Sequence, residues 1–256
     1  MVNVIQDFNN KTAIVTGAGS GIGRAAALSF AERGANVVVV DFDDVAAKET
    51  VTLIEKKGGE AISIHADVSK DAEVKSMIDG TLKKYGGIDC AFNNAGVTST
   101  GQLIVDIPED DWDRIININL KGVWLCMKYE IPQMMKKGKG AIVNTASMLG
   151  LIGNPRRSEY MASKHGVIGL TKGAALEYAN AGIRVNAICP AVIASPMNVR
   201  FFANNPEAME KLIALIPLER AGTVEEVAEV AVWLCSDTAS FITGVSLPVD
   251  GGYTTK

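Results

Sequence analysis

Tyr160 and Lys164 stand four residues apart, and Ser147 lies thirteen positions before the tyrosine. In a helix, residues i and i+4 share a face, so Tyr160-Met161-Ala162-Ser163-Lys164 sets a phenol beside an ammonium. An unperturbed tyrosine titrates at about 10, too high for a good base at neutral pH. A nearby positive charge lowers that value toward the working range. A serine hydroxyl reaching the same point would hold a carbonyl or alcohol oxygen. The chemistry these three groups support is proton exchange with such an oxygen. Alone, the pair fits equally a surface lysine one turn from a packed tyrosine, so the reading needs the elements that would position it.

Those elements alternate. Apolar, β-rich runs at 12–16, 37–41, 61–66, 88–93, 141–145, 184–188 and 246–249 are separated by helical stretches at about 23–34, 45–57 and 71–85, and by a longer one at about 110–136 that Pro132 is expected to bend or cut short. Tyr160 falls on the helix after the fifth strand. No linker, repeat or low-complexity tract interrupts the pattern. The expected fold class is α/β: one Rossmann-like domain, a doubly wound parallel sheet with right-handed crossovers, over residues 1–256. Ligands of such sheets bind beyond the carboxyl ends of the strands.

The other motifs fall at those ends. Thr16-Gly17-Ala18-Gly19-Ser20-Gly21-Ile22-Gly23 follows the first strand and opens the first helix. Gly17, Gly21 and Gly23 allow a tight turn that brings backbone N–H groups, including those of Ser20 and Ile22, toward a pyrophosphate at a helix N-terminus. Asp41 ends the second strand, where a carboxylate can accept hydrogen bonds from ribose hydroxyls and repel a 2′-phosphate. No basic residue follows in Phe42-Asp43-Asp44 and none lies between Gly17 and Ile22, so NAD is favoured over NADP. The competing reading makes Asp41 a helix N-cap. Asp67-Val68 closes the third strand, where the carboxylate would meet an adenine amino group. Asn93-Asn94-Ala95-Gly96 closes the fourth, with small residues that admit the cofactor. Turn chemistry would explain either.

Composition excludes several classes. The 256 residues are 48% hydrophobic with a net charge of −4, enough for a large core and without a basic patch for nucleic acid. No apolar run approaches the roughly 20 residues of a membrane helix, and Met1 to Asn10 lacks a secretory layout. Cys90, Cys126, Cys189 and Cys235 form no CxxC pair, and only two histidines are present, so no metal site is expected. Buried thiols in a cytoplasmic protein are the expectation.

Together these residues resemble the short-chain dehydrogenase/reductase family over nearly the whole chain. The resemblance rests on the TGxxxGxG turn at 16–23, the NNAG motif at 93–96, Asn119 in Asn117-Ile118-Asn119-Leu120, Ser147, the Tyr160/Lys164 pair and the Val249-Asp250-Gly251-Gly252 ending. It implies hydride transfer between a substrate carbon and a nicotinamide ring. Tyr160 would be the acid/base and Ser147 would steady the substrate oxygen. Lys164 would lower the tyrosine pKa and bond the nicotinamide ribose, and Asn119 would hold a water linking Lys164 to solvent. Pro190, Ile193 and Ser195 would contact the nicotinamide. The family usually has Pro-Gly after the sixth strand. Here it is Pro190-Ala191, and if glycine were needed there for positive φ, the loop would differ.

The substrate walls are expected from Met148 to Ile152 with Asn154 to Arg157, and from a mobile loop near 195–216 carrying Met197, Phe201, Phe202, Met209, Leu212 and Ile213. Mostly apolar lining points to a hydrophobic or cyclic secondary alcohol. Arg156 and Arg157 would either bind an anionic group, face solvent or pair at a subunit contact. Two long helices are the candidate oligomer surfaces, 110–136 with Trp112, Val123, Trp124 and Met127, and the one carrying Tyr160, unless packing on the sheet accounts for their apolar faces; the resemblance implies a homotetramer. Two other functions compete: an NADPH-dependent 3-oxoacyl-carrier-protein reductase, which Asp41 opposes, and a non-catalytic nucleotide-binding regulator, which has no need of Asn119, Ser147, Tyr160 and Lys164 together.

Overall fold

The computed structural model describes residues 6–202 and 206–255. Seven parallel strands form one sheet in the order β3-β2-β1-β4-β5-β6-β7. They are β1 (Thr12–Thr16), β2 (Asn36–Asp41), β3 (Glu60–His65), β4 (Cys90–Asn93), β5 (Gly140–Thr145), β6 (Ile183–Pro190) and β7 (Ser246–Val249). The helices are α1 (Gly21–Glu32), α2 (Asp44–Lys56), α3 (Asp71–Tyr85), α4 (Glu109–Ile116), α5 (Gly122–Lys137), α6 (Ser158–Tyr178), α7 (Pro196–Phe202), α8 (Pro206–Ile213) and α9 (Val224–Cys235).

The central strands are apolar throughout because both faces are covered. Side chains alternate along a strand, so Ile14, Val38 and Val40 join Ile142 and Val185 in a core under α3, α5 and α6. Their neighbours Ala13, Val15, Val37 and Val39 join Phe92 and Val143 under α1, α2 and α9. Each fully buried Val or Ile contributes about 1.5–3 kcal/mol. Strand order reverses at β1, which pairs with β2 on one side and with β4 on the other, through Ala13↔Cys90 and Val15↔Phe92. The glycine turn after β1 and the asparagine loop after β4 therefore exit side by side at the switch point where ligands of such sheets bind.

Two expectations change. The long helix expected at 110–136 is continuously helical from Glu109 to Lys137, with one π-helical turn, Asn117–Lys121, around Asn119, and Pro132 does not cut it short. α5 runs through Pro132 to Lys137. Pro132 lies on the exposed face, where the carbonyl that it frees meets water. The expected loop at 195–216 is largely helical, as α7 and α8. The side chains of Phe201 and Phe202 lie outside the described residues.

Of the candidate oligomer face, Val123 and Met127 are core residues, buried against the sheet, while Trp112 and Trp124 remain exposed. Among the described residues no helix is long and apolar enough to cross a membrane, and no group of three or more His, Cys, Asp or Glu could hold a metal. All four cysteines are buried and unpaired.

Candidate active site

The turn after β1 is built for close approach. Gly17 has φ +63°, and a Cβ there would lie 2.9 Å from Ala95 Cα, so only glycine lets this turn pack against the β4 exit. Thr16 ties the two loops. Its Oγ1 accepts the N–H groups of Asn94 and Ala95 at 3.0 and 3.1 Å, and Asn94 Nδ2 donates to Thr16 O at 3.1 Å. Ser20 is the N-cap of α1, and Gly21, Ile22 and Gly23 form its first turn. Gly21 faces Pro196 and Ser195 across the cleft, which brings the β6 exit opposite the helix N-terminus.

Asp41 is buried. Its Oδ2 accepts the Gly19 N–H at 2.8 Å and its Oδ1 that of Asp43 at 3.0 Å. It is not a helix cap: Asp43 caps α2, accepting from Val45 and Ala46. Arg24, the nearest basic residue after the turn, is committed to α2 through Thr50 Oγ1, Ala46 O and Glu49. Asp67 closes its own turn by accepting from Ser69 N at 2.9 Å, and Val68 is buried against Gly122. Gly96 packs beside Asn119 and Lys164. The glycine turn opening on the α1 N-terminus, with Asp41 and Asp67 at the neighbouring strand ends, offers the glycine-lined approach and the carboxylates that suit a dinucleotide.

α6 presents Lys164, Val167, Ile168, Thr171, Ala174 and Ala175 to the sheet and leaves Ala162, His165 and Leu176 outside. This stripe brings Tyr160 and Lys164 to the C-terminal edge. Lys164 is 3% exposed. Its Nζ donates to Thr145 O at 2.8 Å and lies 5.5 Å from the Tyr160 ring centroid. Burial pulls its ammonium down to about 8. Ser147 leaves β5 beside them, its Oγ accepting from Leu149 N at 3.1 Å.

Tyr160 is half-buried, and its phenol sits above the usual tyrosine value. Burial is the main cause; the Ser147 hydrogen bond and the Arg157 charge pull it down, and Cys189 pushes it up. The Lys164 ammonium, read from the sequence as the charge beside the phenol, lies 5.5 Å from the ring centroid. Cys189, behind Ser147, is itself pushed up to about 11 by burial, so the thiol is neutral and inert.

Asn119 sits in the π segment, fully buried. Its Oδ1 accepts Val97 N at 2.8 Å, and its Nδ2 donates to Val97 O at 2.9 Å and Ser163 Oγ at 3.4 Å. The side chain clamps the β4 exit loop to the π segment. Ile193 O accepts Asn198 Nδ2 at 2.8 Å, and Ser195 Oγ accepts Asn198 N at 3.4 Å, which folds the start of α7 back on the β6 exit. Pro190 ends β6. Ala191 takes no positive φ and bonds Val249 O, so the missing glycine leaves this turn unstrained. Met148 and Leu149 are buried, and Ile152, Met209, Leu212 and Ile213 are partly exposed. A cavity of about 590 Å³ lies beyond Ala191–Ile193, walled by Ile216, Leu218, Val249 and Asp250; it contains neither Ser147 nor Tyr160.

Comparison with known proteins agrees with this geometry. A family model described as Enoyl-(Acyl carrier protein) reductase matches residues 17–254. The chain is 44% identical over 249 residues to a cyclohexanol dehydrogenase of Acinetobacter sp., covering 97% of each. It is 43% identical over 244 residues to a 3-oxoacyl-[acyl-carrier-protein] reductase of Staphylococcus epidermidis, covering 95% of this chain and 98% of the other. The crystal structure of levodione reductase superposes with a TM-score of 0.94 at 35% identity, covering 97% of this chain and 99% of that one. A structure from Beutenbergia cavernae assigned as an NAD(P)-dependent gluconate 5-dehydrogenase, with NADP at low occupancy, gives 0.92 at 34%, covering 98% and 99%.

The chain belongs to the short-chain dehydrogenase/reductase family. It is an oxidoreductase acting on CH–OH groups and uses a nicotinamide cofactor.

Sequence reasoning gave no role to Thr16, Thr145, Ser163 or Glu130. Glu130 is fully buried on α5 and accepts from Asn93 Nδ2 at 3.1 Å; Asn93 also donates to Asn144. Burial pushes the carboxyl up to about 7, and its Oε1 has no partner. An acidic residue on the helix face otherwise made of Cys126, Met127, Ile131 and Met134 was the available signal.

Proposed function

We propose that this protein is an NAD-dependent dehydrogenase that interconverts a hydrophobic, cyclic secondary alcohol and its ketone, with Tyr160 as acid/base. The observation that carries the reading is the meeting of Ser147, Tyr160 and Lys164 at the strand edge shared with the Gly19–Asp41 cradle. A nicotinamide dinucleotide held in that cradle supplies the hydride acceptor for oxidation, or the donor for reduction. In oxidation Tyr160 Oη takes the hydroxyl proton of the alcohol; in reduction it returns that proton to the carbonyl oxygen. Ser147 holds the oxygen in line with the phenol. Lys164, anchored on Thr145 O, keeps an ammonium beneath the ring and offers its remaining donors to the ribose.

Asp41 supports NAD, since a 2′-phosphate would meet a buried carboxylate while Arg24 is held by α2. The apolar character of the segments carrying Met148, Leu149, Leu212 and Ile213, with the cyclohexanol and levodione enzymes among the relatives, supports a cyclic substrate. The helices α7 and α8 after the β6 exit are the elements we assign to cover that substrate. The exposed Trp112 and Trp124, and the small outer face of α6, are the surfaces for a homotetramer, which light scattering of the purified protein tests. A second reading, reduction of 3-oxoacyl thioesters with NADPH, has the Staphylococcus epidermidis relative in its favour.

The test follows NADH absorbance with NAD or NADP and a panel including cyclohexanol and an acyl thioester, for wild type and Tyr160→Phe. We expect NAD-linked oxidation of cyclic alcohols, reduced at least about 10²-fold in the variant. NADPH-linked thioester reduction would transfer the assignment to the second reading. Nucleotide binding without turnover would mark a regulator.

A further inference from the structure

We propose that Glu159 is a positioning residue for the acid/base step: by gripping Ser99 it fastens the first turn of α6, and with it Tyr160, to the loop after β4. The proposal rests on the acid/base role of Tyr160 proposed above.

Tyr160 stands in the first turn of α6, the part of a helix whose N–H groups lack intrahelical partners. No side chain caps that turn. Arg157 occupies the N-cap and makes no capping hydrogen bond, since a guanidinium has no acceptor. The chain also enters the helix abruptly, through Arg156 at φ +62°, a left-handed conformation that few non-glycine residues take. Arg156 itself is exposed. The turn that carries the phenol therefore needs an anchor of another kind.

Glu159 provides it from the interior. It is fully buried, and Ser99, itself 2% exposed, donates from Oγ to its Oε1 at 2.6 Å. The same Oγ accepts Gly101 N at 3.1 Å, which shapes the loop around the contact. Beside it, Arg157 Nη1 donates to Thr98 Oγ1 at 3.4 Å. Asn119 holds Val97, earlier in the same loop, through both its Oδ1 and its Nδ2. Asn119 Nδ2 also donates to Ser163 Oγ at 3.4 Å, and Ser163 Oγ donates to Tyr160 O at 2.6 Å. These contacts close a ring. It runs from Ser99 to Glu159, along the backbone to Tyr160, through Ser163 and Asn119 to Val97, and along the loop back to Ser99. Tyr160 is thus held on both sides, and Glu159 closes the ring on the N-terminal side.

Stability alone does not call for this residue. Its Oε2 is buried without a hydrogen-bond partner, a cost that an apolar side chain of similar volume avoids. What the carboxyl adds is a directed bond to one hydroxyl.

The experiment compares full-length wild type with Glu159→Ala, Glu159→Gln, Glu159→Met, Ser99→Ala and the double variant Glu159→Ala with Ser99→Ala. It measures NAD-linked oxidation of cyclohexanol and Tm for each. In parallel, the ring resonance of Tyr160 is followed by NMR on tyrosine-labelled protein and assigned by its loss in Tyr160→Phe. In Glu159→Ala and in Ser99→Ala we expect kcat to fall about 10- to 100-fold, the alcohol KM to stay within about twofold, and the Tyr160 resonance to shift. The double variant should be no more than about twofold slower than the slower single one, because both substitutions remove the same contact. Glu159→Gln keeps an oxygen for Ser99 and should come within about threefold of wild type. Glu159→Met should melt no lower than wild type yet stay as slow as Glu159→Ala. Unchanged kcat with a lowered Tm would overturn the proposal in favour of packing, and a raised KM alone in favour of a substrate wall. Losses that multiply in the double variant would overturn it too, since Ser99 and Glu159 would then act separately. If wild type turns over no alcohol, the enzymatic reading fails, and the Tyr160 resonance decides the positioning. A shift in both alanine variants that Glu159→Gln reverses upholds it; an unmoved resonance overturns it.

Discussion

Asp41 Oδ2 accepts the backbone N–H of Gly19 at 2.8 Å, which joins the end of β2 to the glycine turn after β1. A Cβ on Gly19 would lie 2.8 Å from that same oxygen. The residue read as the ribose partner therefore also shapes the phosphate turn, and its two tasks are coupled. A carboxylate has about four acceptor positions, and the two N–H groups it binds leave room for ribose hydroxyls.

Replacing Asp41 by Ala should remove both. Hydrogen bonds to a charged group contribute about 1.5–3 kcal/mol, so kcat/KM for NAD should fall about 10- to 100-fold. The fall for NADP should be smaller, because the repulsion of a 2′-phosphate goes too. Steady-state kinetics with both cofactors measures the ratio. A proportional loss for both would mean that Asp41 only holds the turn.

Lys164 is pulled down to about 8 because it is buried. Its folded value lies below the ordinary lysine value of 10.5. Between about 8 and 10.5 the unfolded chain therefore holds more protons than the native one, and stability rises with pH through that window. The penalty present at lower pH is on the order of 3 kcal/mol. Lys164→Met abolishes it together with turnover. Its stability advantage over wild type should shrink by about 2–3 kcal/mol between pH 7.5 and 10 in urea unfolding. An advantage independent of pH would show that the ammonium carries no burial cost.

Asn119→Ala should cost more activity than stability. It removes both bonds to Val97 and leaves a buried N–H and C=O unpaired, about 2–3 kcal/mol, or a Tm lower by about 4–10 °C. The π segment then has no side chain locking it to the β4 exit, and Lys164 and Gly96 shift relative to one another. A displacement near 1 Å costs about 10²-fold in rate. Calorimetry and kcat measured on the same preparation separate the two effects.

The central strands were legible because burial on both faces writes them as apolar runs. β1, α3 and β7 occupy the expected residues. The π-helical turn was not legible, since proline is the visible perturber of a helix and Asn119 acts through bonds to a residue 22 positions away. Asp41 could be read because it ends a strand. The electrostatics around Tyr160 could not, because the spacing of Tyr160 and Lys164 says which groups share a face but not which of them burial will neutralise. Arg157, next to a second arginine, looked like a surface or anion-binding residue. Only the turn at Arg156 brings it inward.

Glu130 provides the last test. Its carboxyl is fully buried, pushed up to about 7, with Oε1 unpartnered beside Asn93, whose Oδ1 is also unpartnered. The unfolded value is near 4.5. The native chain thus holds the extra proton between about 4.5 and 7. Stability is intact below that window, falls as pH rises through it, and is lower by on the order of 3 kcal/mol above it. Glu130→Gln cannot ionise and should lose this slope. The variant should match wild type near pH 5 and exceed it by roughly 2–3 kcal/mol at pH 8 in chemical unfolding. Asn93 precedes the loop that Thr16 and Asn94 tie to the glycine turn, so the ionised Glu130 loosens the floor of the cofactor cradle. NAD affinity in wild type should then weaken between pH 6 and 8 more than in Glu130→Gln. Parallel curves for the two proteins would place Glu130 in the core alone, without influence on the cradle.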